Sequence, residues 1–240
     1  MTQLIQGKAE KEKKGKLIVL EGLDGSGKSV QHQRLLTYLI QAGYKLASVD
    51  FPNYEGSYHG GLIGRYLRGE FGDIYEVEPH FSSWLYAGDR LEAKPQLLNW
   101  LNEDFIVVAN RYVGANLAYH SAKLPPEERP GFIQWLKAIE YEANGLPRED
   151  LVIYLHAPVT LAQKMIDRKA PRSYTTEQRD IHERNTHYLE EVHQQYLTLC
   201  QSEPNWVSLE VADVISGEYL SPELIHSSVA HILREYKLVA

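Results

Sequence analysis

The feature that most constrains this chain is Gly22-Leu23-Asp24-Gly25-Ser26-Gly27-Lys28-Ser29. The apolar run Leu17-Ile18-Val19-Leu20 leads into it, and a helix-like segment, Val30–Ile40, leads out. A glycine, four residues, then Gly-Lys-Ser, set between a strand and a helix, is the phosphate-binding P-loop pattern in its required context. The glycines let the backbone approach a phosphate closely. Backbone N–H groups and the following helix N-terminus then face the anion. Lys28 suits the β- and γ-phosphates of a nucleotide as a point charge, and the Ser29 hydroxyl suits a Mg²⁺ ion.

Composition narrows the setting. With 240 residues, 43% of them hydrophobic, the chain can bury the core of one domain carrying a lid. Its net charge of −7 argues against broad nucleic-acid binding, which needs basic surface. The single cysteine, Cys200, allows no intrachain disulfide and no cysteine-based metal cluster. It fits a reducing, cytoplasmic setting and reads as a packing residue near a helix end. No apolar run approaches the length of a membrane span. Residues 1–16 are polar, lack the apolar core of a signal peptide and read as a disordered tail, which leaves 17–240 as a single domain.

Taken in order, the chain predicts strands at Leu17–Glu21, Lys45–Phe51, Phe105–Ala109, Leu151–Leu155 and Trp206–Leu209. Helices are predicted at Ser29–Gln41, Leu62–Leu67, Pro79–Leu101, Gly131–Ala143, Pro158–Asp167 and Arg179–Leu199, and Gly114–Ala122 reads as a short helix or loop. Ser221-Pro222 opens a last one, with Ser as N-cap and Pro at the first helical position. Asn53–Gly61 is rich in turn residues and reads as a loop. The polar stretch 168–178, with Arg168 and Arg172, has the composition of a loop that closes over a ligand, a lid spanning about 168–180. Strands alternating with helices predict an α/β fold, a parallel β-sheet flanked by helices on both faces. Ligands of such sheets sit at the carboxyl ends of the strands. The P-loop, the Asn53 loop and Asn110-Arg111 should therefore converge on one edge.

A phosphate loop leaves the reaction open. The chain has no Asn-Lys pair with which a GTPase reads its base, and no Ser-Gly-Gly signature of a transporter ATPase. It does place arginines and aromatics on the loops near the P-loop. Arginine forks grip phosphate oxygens, and aromatic rings stack on bases. Phosphoryl transfer between two anions needs charge neutralisation and in-line positioning. The residues thus point to a nucleotide-dependent kinase with a small acceptor.

Five blocks carry a closer resemblance: the P-loop stretch, Phe51-Pro52-Asn53-Tyr54, Tyr86-Ala87-Gly88-Asp89-Arg90, the run from Asn110-Arg111-Tyr112 to Tyr119, and Arg179-Asp180-Ile181-His182-Glu183. In this order, from Leu17 to about Leu199, the chain resembles the thymidylate (dTMP) kinase family. The resemblance implies a P-loop kinase with a helical lid that transfers phosphate from ATP to dTMP, giving ADP and dTDP, with Mg²⁺. It also implies a homodimer formed through helices. Residues 22–29 (Gly22, Leu23, Asp24, Gly25, Ser26, Gly27, Lys28, Ser29) match its ATP loop. Asp24 matches a carboxylate that binds the sugar 3′-hydroxyl and touches Mg²⁺ through water. Tyr54 matches a contact to the acceptor phosphate, where many relatives have Arg. Tyr86 stands where a Phe stacks on thymine, and Arg90 matches the reader of thymine O4. Arg111 matches the arginine on the acceptor phosphate, Asn116 the residue at the pyrimidine edge, and Tyr119 the ring that crowds the 2′ position. Lys28, Arg111 and the lid residue Arg172 are the expected catalytic groups. Asp180 and Glu183, placed three apart on a helix face, resemble carboxylates near the metal. The chain departs from the family at Asn110, where an Asp normally precedes the Arg. His156 stands where relatives often carry Asp and is given no role.

Each residue also has a plain reading. Tyr86 and Tyr119 could be core aromatics, and Arg90 could pair with Glu92 or Asp89. Arg168 and Arg172 could be a solvated charge run, and Asp180 and Glu183 surface charges. His182, His187 and His193 read as surface residues. The alternatives in function are a kinase for another nucleoside monophosphate or a deoxynucleoside, and a non-catalytic ATP-binding protein, which Asn110 favours.

Overall fold

The computed structural model describes residues 14–168, 180–213 and 215–239. Among these, five parallel strands form one sheet: β1 (Lys16–Glu21), β2 (Leu46–Asp50), β3 (Ile106–Asn110), β4 (Leu151–His156) and β5 (Trp206–Glu210), in the order β2-β3-β1-β4-β5. β1 is central and almost wholly apolar because helices cover both faces of the sheet. Its side chains alternate between two cores. Leu17 and Val19 join Val107, Leu117, Tyr154 and Tyr196 on one face, and Ile18 and Leu20 join Leu35, Leu39, Val229 and Leu233 on the other.

The helices are α1 (Lys28–Gln41), α2 (Tyr58–Leu67), α3 (Pro79–Asn102), α4 (Val113–Ser121), α5 (Arg129–Lys137), α6 (Val159–Asp167), α7 (Thr186–Ser202) and α8 (Pro222–Glu235). The α/β class and parallel sheet match the expectation from the sequence. Ser221 caps α8 as its position predicts, accepting from Leu224 N–H. Gly15 already bonds to the Leu101 carbonyl and Lys16 opens β1, so structure begins slightly before the predicted boundary.

Several expectations change. α2 starts one turn early, inside the predicted Asn53–Gly61 loop, because Ser57 caps it by accepting from Gly60 N–H at 2.7 Å. Gly60 is needed there: a Cβ would stand 1.9 Å from the Asn53 carbonyl oxygen. The glycine pair that reads as a loop signal instead permits close packing of the helix start. Pro158 is the N-cap of α6 and not its first residue. α5 does not run on as one α-helix to Ala143; its last part, Ala138–Ala143, is a π-helical turn. The predicted helix Arg179–Leu199 begins only at Thr186, where the Asn185 side chain accepts from Tyr188 N–H. Asp180 and Glu183 therefore lie in a turn ahead of α7. There Asp180 Oδ1 accepts from His182 and Glu183 N–H at 2.9 and 3.0 Å, while Glu183 Oε2 accepts from Asp180 N–H at 3.2 Å. Two short acidic side chains that satisfy each other's backbone compete with the helix and end it.

Candidate active site

The carboxyl ends of β1, β2 and β3 surround a cavity of about 270 Å³. Asp24, Tyr54, Tyr86, Arg90, Arg111 and Tyr119 line it together with Asp50, Asn110, His120, Asp180 and His182. These residues come from five separate stretches of sequence, and the parallel topology gathers them.

The P-loop closes the β1 side. Lys28 Nζ donates to the Gly22 and Leu23 carbonyls at 2.9 and 2.8 Å and lies 4.0 Å from Asp24. Gly22 and Gly25 both have positive φ, and a Cβ on Gly25 would meet the Ala162 carbonyl at 2.1 Å. The loop thus packs against α6 in a conformation that only glycine allows. Ser29 is exposed in the first turn of α1.

Arg111 follows β3 with φ of +66°, a left-handed conformation costly for a side chain of this size. Its N–H donates to the Leu20 carbonyl, and its guanidinium pairs with Asp24 at 2.9 Å and lies over the Tyr119 ring at 5.3 Å. Burial opposes its charge, but Asp24 more than offsets this, so its pKa lies well above the usual arginine value. The turn is held by Glu21, a fully buried residue that sequence reading missed. Glu21 Oε1 accepts from the N–H groups of Tyr112 and Ala115, both at 2.9 Å, and Oε2 accepts from Tyr196 Oη. Glu21 therefore caps α4 from the end of β1. An acidic residue closing an apolar strand was the available signal.

On the α3 side, Arg90 is buried and paired, though not with Glu92 or Asp89. Its Nε donates to Glu140 Oε2 at 3.1 Å, and its second guanidinium nitrogen donates to Oε1. Burial disfavours the cation, and Glu140 reverses the balance, leaving the pKa raised. Asp89 instead pins the loop after β2, accepting from Asn53 N–H at 3.0 Å and from the Ser57 hydroxyl. Asn116 does not line the cavity; it is buried, with its amide donating to Glu140 and the Ser83 carbonyl. Tyr86 does line it, edge-on to His120 with ring centroids 5.0 Å apart.

His182 and His193 are buried, contrary to the surface reading, whereas His187 is exposed as expected. His182 stacks on Tyr119 at 5.4 Å and meets Tyr66 Oη at 3.1 Å, and burial holds its pKa well below the usual imidazole value. His193 contacts His156 and Tyr154, and burial lowers its pKa to about 4. Tyr66 Oη also accepts from Lys123, whose pKa burial lowers to about 7. Asn110, in place of an expected carboxylate, donates from Nδ2 to Asp50 at 2.6 Å on the neighbouring strand. Of the lid residues, Arg172 and Arg179 lie outside the described residues, and Arg168 ends α6. Among the described residues no cluster of three His, Cys, Asp or Glu side chains could enclose a metal. No helix is long and apolar enough to cross a membrane.

A parallel sheet in this order, with a glycine phosphate loop after the central strand and an arginine paired with that loop at the cavity, defines a P-loop nucleotide-binding protein of the kinase class. The thymidylate kinase family model matches residues 20–216, and the chain belongs to that family. It is 30% identical over 156 residues to the thymidylate kinase of Mycobacterium tuberculosis, covering 65% of this chain and 72% of that one. It is 31% identical over 152 residues to the human thymidylate kinase, covering 63% and 66%. Its fold matches a solved thymidylate kinase structure from Candida albicans with a TM-score of 0.73, at 22% identity and 95% coverage of both chains.

Proposed function

We propose that this chain transfers the γ-phosphoryl group of ATP to dTMP, giving dTDP and ADP. The observation that carries this reading is the juxtaposition, at one cavity, of the P-loop residue Asp24, the Arg111 guanidinium paired with it, and Tyr86 and Arg90 in the same lining. One side suits a triphosphate, and the other suits a phosphate attached to a planar base. Lys28 would leave its two loop carbonyls to bind the β- and γ-phosphates, and Arg111 would hold the acceptor phosphate. Asp24 would bind the 3′-hydroxyl, Tyr54 would contact the acceptor phosphate, Tyr86 would stack on the base, and Tyr119 would crowd a ribose 2′-hydroxyl. Direct in-line transfer needs no covalent intermediate, since positioning and charge supply the catalysis. An arginine of the 168–180 segment, Arg172 by its position in the sequence, would add charge to the transferring group.

The oxygen donors present, the exposed Ser29 hydroxyl and the Asp24 carboxylate, suit Mg²⁺, which keeps most of its coordination for waters and substrate phosphates. Ser29 and Asp24 would hold the ion, which would supply positive charge beside the phosphates. The one thiol, Cys200, packs against the core with its pKa raised to about 12 by burial, in keeping with a structural role in a reducing cytoplasm.

ADP release measured with ATP, Mg²⁺ and a panel of dTMP, dUMP, ribose TMP, dCMP, AMP and thymidine tests the reading. Strong preference for dTMP with poor use of ribose TMP is expected. Preference for AMP or thymidine would overturn the acceptor, and no turnover with any of them would leave a nucleotide-binding protein.

A homodimer also belongs to this reading. Phe81, Trp84 and Leu91 recur at helical spacing on α3 and are exposed, as is Tyr58 on α2. Such an apolar face suits burial against a second copy. Sedimentation velocity should show a dimer that Trp84→Glu converts to monomer; a monomeric parent chain at micromolar concentration would reject it.

A further inference from the structure

We propose that Tyr219 is a positioning residue for the nucleotide: its hydroxyl fixes the direction of one P-loop peptide, so that the loop is set for phosphate before ATP arrives. The inference rests on the reading of the P-loop as the ATP site and does not depend on which acceptor is used. Tyr219 lies 194 residues beyond Gly25 in the chain, yet its Oη donates to the Gly25 carbonyl at 2.8 Å. It stands where the chain turns back after β5. Tyr219 pairs with Ala212 in an antiparallel bridge, Leu220 N–H donates to the Val211 carbonyl at 2.9 Å, and Asp213 N–H donates to the Glu218 carbonyl at 2.8 Å. The Tyr219 ring packs against the core that holds Leu20, Leu155 and Val211. Burial raises its pKa to about 12, so the hydroxyl keeps its proton and remains a donor at neutral pH.

A phosphate loop grips its anion through backbone N–H groups, so its carbonyls face elsewhere and need donors of their own. Lys28 Nζ serves the carbonyls of Gly22 and Leu23, and Tyr219 serves that of Gly25. Lys28 leaves its carbonyls when it turns to the β- and γ-phosphates, so the loop loses that brace as the nucleotide binds. The Tyr219 bond makes no use of the phosphates and persists. Gly25 needs such a brace. Its φ of +86° and its lack of a Cβ leave the peptide that follows it free to rotate at little steric cost. That peptide is held from both sides: its carbonyl by Tyr219, and its N–H, that of Ser26, by the Leu23 carbonyl at 3.1 Å. Reversing it would turn the Gly25 carbonyl into the loop, where its negative end opposes a phosphate. A loop that samples this state carries an ordering cost each time a nucleotide binds, and the Tyr219 hydroxyl lowers that cost in advance.

The test compares the parent chain with Tyr219→Phe and Tyr219→Ala. The phenylalanine keeps the ring and its packing and removes only the hydroxyl. For Tyr219→Phe, KM for ATP and Kd for ADP, the latter by calorimetric titration, should each rise about three- to tenfold, the worth of one hydrogen bond. KM for dTMP should stay within about twofold, a split that general loosening of the fold would not produce. The melting temperature without nucleotide should fall by no more than about 4 °C. Tyr219→Ala should weaken both nucleotides at least as much. A Tyr219→Phe chain with the parent KM for ATP and Kd for ADP would overturn the proposal, since an effect confined to Tyr219→Ala belongs to packing of the ring. So would a parallel rise in KM for ATP and dTMP, or a Tyr219→Phe chain that does not fold, since each would make Tyr219 structural. A parent chain that binds neither ATP nor ADP would instead remove the reading of the P-loop itself.

Discussion

Lys28→Ala should lower turnover of ATP and dTMP by at least about 10²-fold, since it removes a preorganised positive charge from the transferring phosphates. In the ligand-free chain Lys28 Nζ is held by the Gly22 and Leu23 carbonyls, beside Asp24, with little solvent exposure. Those carbonyls belong to a loop shaped by its glycines, and Ser26 N–H bonds back to Leu23. The loop should keep its conformation without the lysine, so the melting temperature should change little. Coupled measurement of ADP release, with a thermal melt alongside, separates the two effects. Turnover near that of the parent would remove Lys28 from the machinery. Loss of turnover together with a large drop in melting temperature would show a folding defect instead.

Glu21→Ala should cost about 3–5 kcal/mol of stability, since each buried donor left unsatisfied costs about 1–3 kcal/mol and this change leaves several. It strands the N–H of Tyr112 and the hydroxyl of Tyr196 inside the core, and the N–H of the half-buried Ala115. For a chain of this size that corresponds to a melting temperature lower by about 10 °C. Glu21→Gln should lose less, because its carbonyl still accepts from both amides and the Tyr196 hydroxyl can turn. The same substitution should weaken use of dTMP below the melting transition, since Tyr112 follows Arg111, whose strained backbone the Glu21 contact secures. Thermal melts of the three chains, followed by KM for dTMP at low temperature, check both parts. A Glu21→Ala chain that melts with the parent would show that β1 does not need this cap.

The sequence alone determined the elements whose signals are local. The P-loop is legible because its glycines, Lys28 and Ser29 are consecutive and their order states their chemistry. The five strands are legible because a sheet covered on both faces requires short continuous apolar runs. Its edge converges at Asp24, Tyr54 and Arg111 because parallel strands all end on one side. Tertiary structure alone decided the rest. Glu21, Asp89 and Glu140 look like ordinary acidic residues, and only the fold shows that each is buried against donors distant in sequence: Tyr112 and Tyr196, Asn53, Arg90 and Asn116. The late start of α7 was hidden for a similar reason. The Asp180–Glu183 spacing fits a helix face as well as a self-satisfying turn, and helical propensity does not choose between them. The sequence does not reveal the burial of His182 and His193, because a histidine's burial depends on what packs above it. Long-range pairing, which the order of residues along a chain does not encode locally, decided how the site is held.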